Sequence, residues 1–163
     1  MNESCLLYQE AFAALQRRGV TLDDIADLVY FLQEPYHPGL KRQVCLHNVE
    51  RVIRKREVQN AIVTGIALDE LAENDQLNEP LLQTIKNDES LYGIDEVIAL
   101  SIVNVYGSIG FTNYGYIDKV KPGILARLND KSSGECHTFL DDIVGAIAAA
   151  ASSRLAHSAE VNS

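Results

Sequence analysis

This chain of 163 residues has few cysteines, few prolines and no long apolar run. Its three cysteines, Cys5, Cys45 and Cys136, are widely spaced and never paired as CxxC. That excludes a disulfide framework and a zinc knuckle and suits a reducing cytosol. No stretch approaches the ~18 apolar residues that span a bilayer; "VGAIAAAA" comes closest and is far shorter. "MNESCLLYQEAF" has no basic segment ahead of an apolar one, so no signal peptide is expected. Basic residues are scarce too: 14 Lys and Arg stand against 23 Asp and Glu, for a net charge of −9. Such a surface repels phosphate backbones, which argues against nucleic-acid binding. It also lacks the basic patch that holds a protein to an anionic membrane. GxSxG, P-loop and GxGxxG motifs are missing. His37, His47, His137 and His157 form neither HxH nor HExxH.

What is present is helical periodicity. Residues 4–18 place Leu6, Tyr8, Phe12 and Leu15 at helical spacing before Gly19. "TLDDIADLVYFLQ" opens on Thr21 with Asp24 three residues later, a capping box. "EPYHPG" is a loop, since two prolines interrupt helical hydrogen bonding. A basic helix is expected over 40–57, another helix over 58–74, and a short one in "NEPLLQTIKND" with Pro80 near its first turn. A strongly apolar helix follows over 94–106. The glycine-rich "SIGFTNYGYIDKVKPG" reads as a loop, "ILARLND" as a short helix and "KSSGE" as a turn. The final helix is expected from Thr138 to about Ser158. No segment alternates with period two, so the fold class is all-α, one multihelical domain over 1–157 with a frayed tail at 158–163. The apolar runs "VGAIAAAASS" and "ALSIVNVYG" lead to an expected homo-oligomer; the competing reading makes both helices central in one core.

Acids recur at helix starts and turns beside apolar residues: Asp95–Glu96, Asp118, and Asp141–Asp142. Two readings stand side by side. First-turn acids complement the helix dipole, and Thr138 with Asp141 forms a Thr-x-x-Asp capping box. Alternatively the three points converge on a hard cation such as Mg²⁺, which takes carboxylates, waters and phosphate oxygens. One residue advances a helix by ~100°, so Asp141 and Asp142 cannot both cap; Asp141 is expected to cap and Asp142 to face the site. Lys119 and Lys121, flanking Asp118, either pair with it in a solvated turn or neutralise phosphate. His137 is either structural or in contact with substrate.

The segment "YIDKVKPGILARLNDKSSGECHTFLDDIVGAIAAAAS" resembles the C-terminal signature of the phosphatidylglycerophosphatase A family. Asp118, Lys121 and Pro122 match its Asp-x-x-Lys-Pro turn, and Asp141 to Val144 its Asp-Asp-Ile-Val helix start. "YGIDEVIAL" is similar to its upstream Asp-Glu element, placing Asp95 and Glu96. The resemblance covers about residues 58–157, is strongest over 92–152, and is nearest to the soluble Gram-positive branch. It implies an α-helical fold and Mg²⁺-dependent removal of the terminal phosphate from phosphatidylglycerophosphate. Asp95, Glu96, Asp118 and Asp142 would then be catalytic, with Asp141 joining them as metal ligands, and Lys119, Lys121 and His137 would bind substrate. Two departures stand out. Only Pro38–Gly39 matches the Pro-Gly-Thr-x-Gly-Ser stretch of membrane-bound members, and their spanning helices are missing. A small soluble phosphomonoester, or a noncatalytic role in binding metal or a phosphorylated ligand, is therefore the alternative to a lipid phosphatase.

Overall fold

The clearest local signal holds in the computed structural model, which describes residues 3–161 and the side chains of residues 5–158. Thr21 Oγ1 accepts from the Asp24 amide at 3.1 Å, and Thr21 N donates to the Asp24 carboxylate at 2.9 Å. This reciprocal cap starts helix α2 (Leu22–Gln33), which buries Ile25, Leu28, Val29 and Leu32. It follows α1 (Glu3–Arg17). α3 (Arg42–Ile53) and α4 (Arg56–Glu73) come next, then α5 (Leu81–Lys86) and α6 (Ile94–Val103). α7 (Ser108–Val120), α8 (Ile124–Leu128) and α9 (Leu140–Val161) complete the described chain, which contains no strand. The tail expected to fray from residue 158 lies almost wholly outside the described side chains, although α9 extends to Val161.

Three boundaries differ from expectation for physical reasons. The break expected near residue 57 falls at Arg54–Lys55, where Lys55 is extended and the buried Gln59 side chain donates to the Ile53 carbonyl at 2.9 Å. The glycine-rich stretch expected to be a loop is helix α7. Each glycine costs a helix about 1 kcal/mol, but Gly110, Tyr114 and Ile117 form a buried stripe at helical spacing. The fit at Gly110 is tight: a Cβ would stand 3.0 Å from Val103 Cγ1 and 3.2 Å from Ser153 Oγ. Finally, α9 starts at Leu140, two residues later than Thr138.

α9 is the central helix. It packs on α2, α3, α4, α6, α7 and α8, and residues 139–153 are buried without a break. A helix that is apolar all round belongs in a core. The small-residue run that motivated an oligomer is thus used up inside the chain, whereas Ile94 and Val97 of α6 remain exposed. Alanines and Gly145 let neighbours approach. On α4, Gly65 meets α9 so closely that a Cβ would lie 3.1 Å from Phe139 Cβ and overlap the Ile143 side chain. Among the described residues no helix is long and apolar enough to cross a membrane.

Candidate functional site

The start of α9 is held from outside. Asp69 of α4, fully buried, accepts from the Phe139 amide at 2.9 and 3.2 Å and from the Leu140 amide at 2.9 Å. It performs the capping that Thr138 and Asp141 were expected to perform. The Thr138 hydroxyl is engaged elsewhere, donating to the Ile85 carbonyl at the end of α5 at 2.6 Å. Four residues after Asp69, and so on the same face of α4, Glu73 accepts from the Cys136 amide at 2.8 Å. Glu73 is also gripped by both terminal nitrogens of Arg18 at 2.9 and 3.2 Å, a bidentate geometry. Arg18 further donates to the Cys136 carbonyl at 2.9 Å. The segment entering α9 is therefore pinned by α4, α5 and the residue following α1 before Asp141 is reached.

Asp69 is legible from its place in the helical pattern. Val58, Ile62, Gly65, Ile66 and Ala72 define the buried stripe of α4, and Asp69 falls on that stripe. A carboxylate on a buried face requires partners. Burial pushes its pKa well up, opposed by the two amide bonds and by Arg18.

The pinned start presents Asp141 and Asp142 to a pocket of about 260 Å³. The pocket gathers the expected acids from three helices: Asp95 and Glu96 from the first turn of α6, Asp118 from the last turn of α7, and Asp141 and Asp142 from α9. Asp88, Glu89, Ser90 and Asn129 also line it; no local pattern marked these four in advance. Asp95, Asp141 and Asp142 are buried, Asp118 is half-buried and Glu96 is exposed. Lys121 is the single cation among the described lining residues. Its ammonium lies 3.1 Å from Asp118 and 3.4 Å from Asp141. Its backbone is left-handed, with φ +48°, a conformation that costs a side-chain-bearing residue about 1–2 kcal/mol. This turn separates Lys121 from Lys119, which is exposed and does not line the pocket.

Both α9 aspartates face the pocket. Asp141 Oδ1 also accepts from the Asp142 amide at 2.8 Å, so it satisfies one free donor of its own first turn and meets Lys121 with its other oxygen. Asp142 lies carboxyl against carboxyl with Asp95. Burial is the main force raising both pKa values. Asp141 rises to about 7, with Lys121 opposing; Asp142 rises further because Asp141 and Asp95 stand beside it. Carboxylates so placed call for a proton or a cation.

The donor set is all oxygen, which suits a hard cation. Among the described residues no three His, Cys, Asp or Glu side chains already stand as a closed metal-binding group. A cation that retains several waters and takes one or two carboxylates is served by the wider spacing. At about 30 Å³ per water, the pocket has room for such a shell.

His137 sits in an adjoining cavity of about 180 Å³, which shares Asp88, Asn129 and Asp141 with the acidic pocket. Its Nδ1 lies 3.3 Å from an Arg18 nitrogen and therefore accepts, which leaves the proton on Nε2, 2.8 Å from Glu135. Burial lowers its pKa. The ring is held as a neutral, doubly bonded part of the α9 anchor, at the cavity wall.

Comparison with known proteins extends the family likeness over most of the chain. The phosphatidylglycerophosphatase A family profile matches residues 11–157, well beyond the C-terminal signature. The chain is 70% identical over 150 residues to the uncharacterized protein YutG of Bacillus subtilis, covering 92% of this chain and 90% of that one. It superimposes on the low temperature requirement C protein of Listeria monocytogenes with a TM-score of 0.93 at 66% identity, over 94% of this chain and 97% of the other. The Bacillus subtilis protein ypjQ gives a TM-score of 0.94 at 52% identity, over 99% and 100% of the two chains.

Proposed function

The chain belongs to the phosphatidylglycerophosphatase A family, and from that membership we propose that it is a Mg²⁺-dependent phosphatase acting on a terminal phosphomonoester. The observation that carries the reading is the convergence of buried Asp95, Asp141 and Asp142 with Asp118 on one pocket containing a single lysine. Asp95, Asp141 and Asp142 would hold the cation, with Asp118 and Glu96 at the mouth completing its oxygen shell. When bound, Mg²⁺ supplies Lewis-acid polarisation of the phosphoryl oxygens and offsets the charge of the carboxylates. Lys121 keeps Asp118 and Asp141 a fixed distance apart and offers its ammonium to the substrate's phosphate. Hydrolysis joins a water oxygen to phosphorus as the ester P–O bond breaks, and the departing oxygen takes up a proton to leave as the alcohol. Whichever of Asp118 and Glu96 is not engaged by the cation accepts the water's proton.

For a lipid substrate the favourable feature is apolar surface close in sequence to the pocket residues: Leu91, Ile94 and Val97, on the segment that carries Asp95, are exposed and would meet the acyl side of phosphatidylglycerophosphate. The second reading, a small soluble phosphomonoester, is favoured by the polar walls of the acidic pocket. The free cysteines Cys5, Cys45 and Cys136 support a reducing, cytoplasmic setting. The test is phosphate release with Mg²⁺ and after chelation, from phosphatidylglycerophosphate in mixed micelles beside a panel of soluble phosphomonoesters. Release from the lipid is expected. No Mg²⁺-dependent release from any substrate would remove the enzyme reading and leave a binding protein.

A further inference from the structure

Four buried side-chain atoms have no protein partner among the described residues: Arg18 Nε, Tyr106 Oη, Tyr114 Oη and Ser153 Oγ. A buried donor left unpaired costs about 1–3 kcal/mol, so each needs a reason. The charges that bear on Tyr106 are those of Arg154, Arg51 and Glu57, none of which lines the acidic pocket. Tyr114 is different. It is only 7% exposed, and the charges that bear on its hydroxyl are Asp142 first, then Asp118, Asp141 and Glu96. All four line the acidic pocket.

The local geometry explains the placement. Tyr114 precedes Asp118 by four residues on α7, so both share one face. Its ring lies across Gly145 of α9, where a Cβ would stand 3.7 Å from Tyr114 Cε2. Gly145 is three residues beyond Asp142, one turn deeper in the same helix. The ring thus packs on the helix that carries Asp142, on the α7 face that carries Asp118.

We propose that Tyr114 is a positioning residue of the acidic pocket, its buried hydroxyl donating to the Asp142 carboxylate when that carboxylate ligates a divalent cation. The inference rests on the metal-site reading above. Carboxylates that ligate metals are themselves hydrogen-bonded, and those outer partners set their orientation. The partner visible for the Asp142 carboxyl is that of Asp95, since the Asp142 amide donates to Asp141 instead, and a second carboxylate cannot donate once both are ionised. The phenol is the neutral donor within the same buried space. Burial raises its pKa above the ordinary tyrosine range, so it keeps its proton at neutral pH.

The test uses the full chain, Mg²⁺ alone as probe, and the variant Tyr114→Phe, which preserves the ring and its packing. Isothermal titration should show Mg²⁺ affinity reduced about 10- to 100-fold, the usual cost of losing an outer partner. Thermal stability without metal should be unchanged or higher, since the unpaired hydroxyl is gone. A structural role would not produce the second readout. The chain has seven tyrosines and no tryptophan, so Mg²⁺ should shift the near-ultraviolet tyrosine spectrum of the parent, and Y114F should lose that shift. Equal Mg²⁺ affinity in parent and variant overturns the role of Tyr114 while the metal site survives. A parent that binds no Mg²⁺ at millimolar concentration overturns the metal site, and the proposal with it.

Discussion

Alanine at position 69 removes the one group that caps α9 from outside. Two buried amides, Phe139 and Leu140, lose their acceptor. An N-cap truncation alone costs about 0.5–2 kcal/mol, and removing one member of a buried charged hydrogen-bonding set costs about 3–5 kcal/mol. Asp69 lies between these limits, because burial penalises its charge even as the amides and Arg18 favour it. Asp69→Ala should therefore destabilise by about 2–4 kcal/mol, a large part of the 5–15 kcal/mol typical of a domain. Asp69→Asn keeps one carbonyl oxygen at the amides and should cost about half as much. The assay is urea unfolding followed by far-ultraviolet circular dichroism, with midpoints compared at equal slope. A loss below about 1 kcal/mol for the alanine variant would refute the reasoning, since α9 would then start equally well without its external cap. Equal losses in both variants would assign the effect to the charge of Asp69 and not to its accepting oxygens.

Three other outcomes follow from the same geometry. Asp142→Asn should relieve the contact with Asp95 and raise the metal-free melting temperature by about 2–4 °C for each kcal/mol gained, while removing the thermal response to Mg²⁺; a variant that keeps the full Mg²⁺ response shows that Asp142 is no ligand. Asp141 and Asp142 bind protons more tightly folded than unfolded, so their contribution to stability is full below about pH 4; the share of Asp141 is lost as pH rises through about 7, and that of Asp142 at higher pH still. The Mg²⁺-induced rise in melting temperature should accordingly grow from pH 5.5 to pH 8 as protons cease to compete, and a flat or falling response contradicts the site. Gly65→Ala should cost about 1–3 kcal/mol by overpacking, although alanine is the better helix former, because its Cβ would press on Ile143 and Phe139; calorimetry showing a stabilised variant would mean that the α4–α9 contact relaxes freely.

Where an interaction closes within a few residues, the sequence displays it. Thr21 and Asp24 complete their capping box inside one turn, so spacing sufficed to find it. The same spacing misled at Thr138 and Asp141, because Ile85 claims the hydroxyl and Asp69, about seventy residues earlier, claims the amides. Nothing local distinguishes those two outcomes. α7 was hidden likewise: two glycines within Ser108–Val120 oppose a helix on propensity, and only the approach of Val103 and Ser153 shows what Gly110 is for.

The sequence by itself determined an all-helical chain, the family and the acids that come together, since helical periodicity and a contiguous motif are written in neighbouring residues. Tertiary structure alone decided the rest. It gave the cap of α9 to Asp69, turned both Asp141 and Asp142 toward the pocket, and placed Lys121 inside it with Lys119 outside. It also buried the Tyr114 ring against Gly145 of α9. Each of these depends on which surfaces pack across α9. Burial and long-range hydrogen bonding choose among side-chain orientations that a helix start, taken alone, leaves equal in energy.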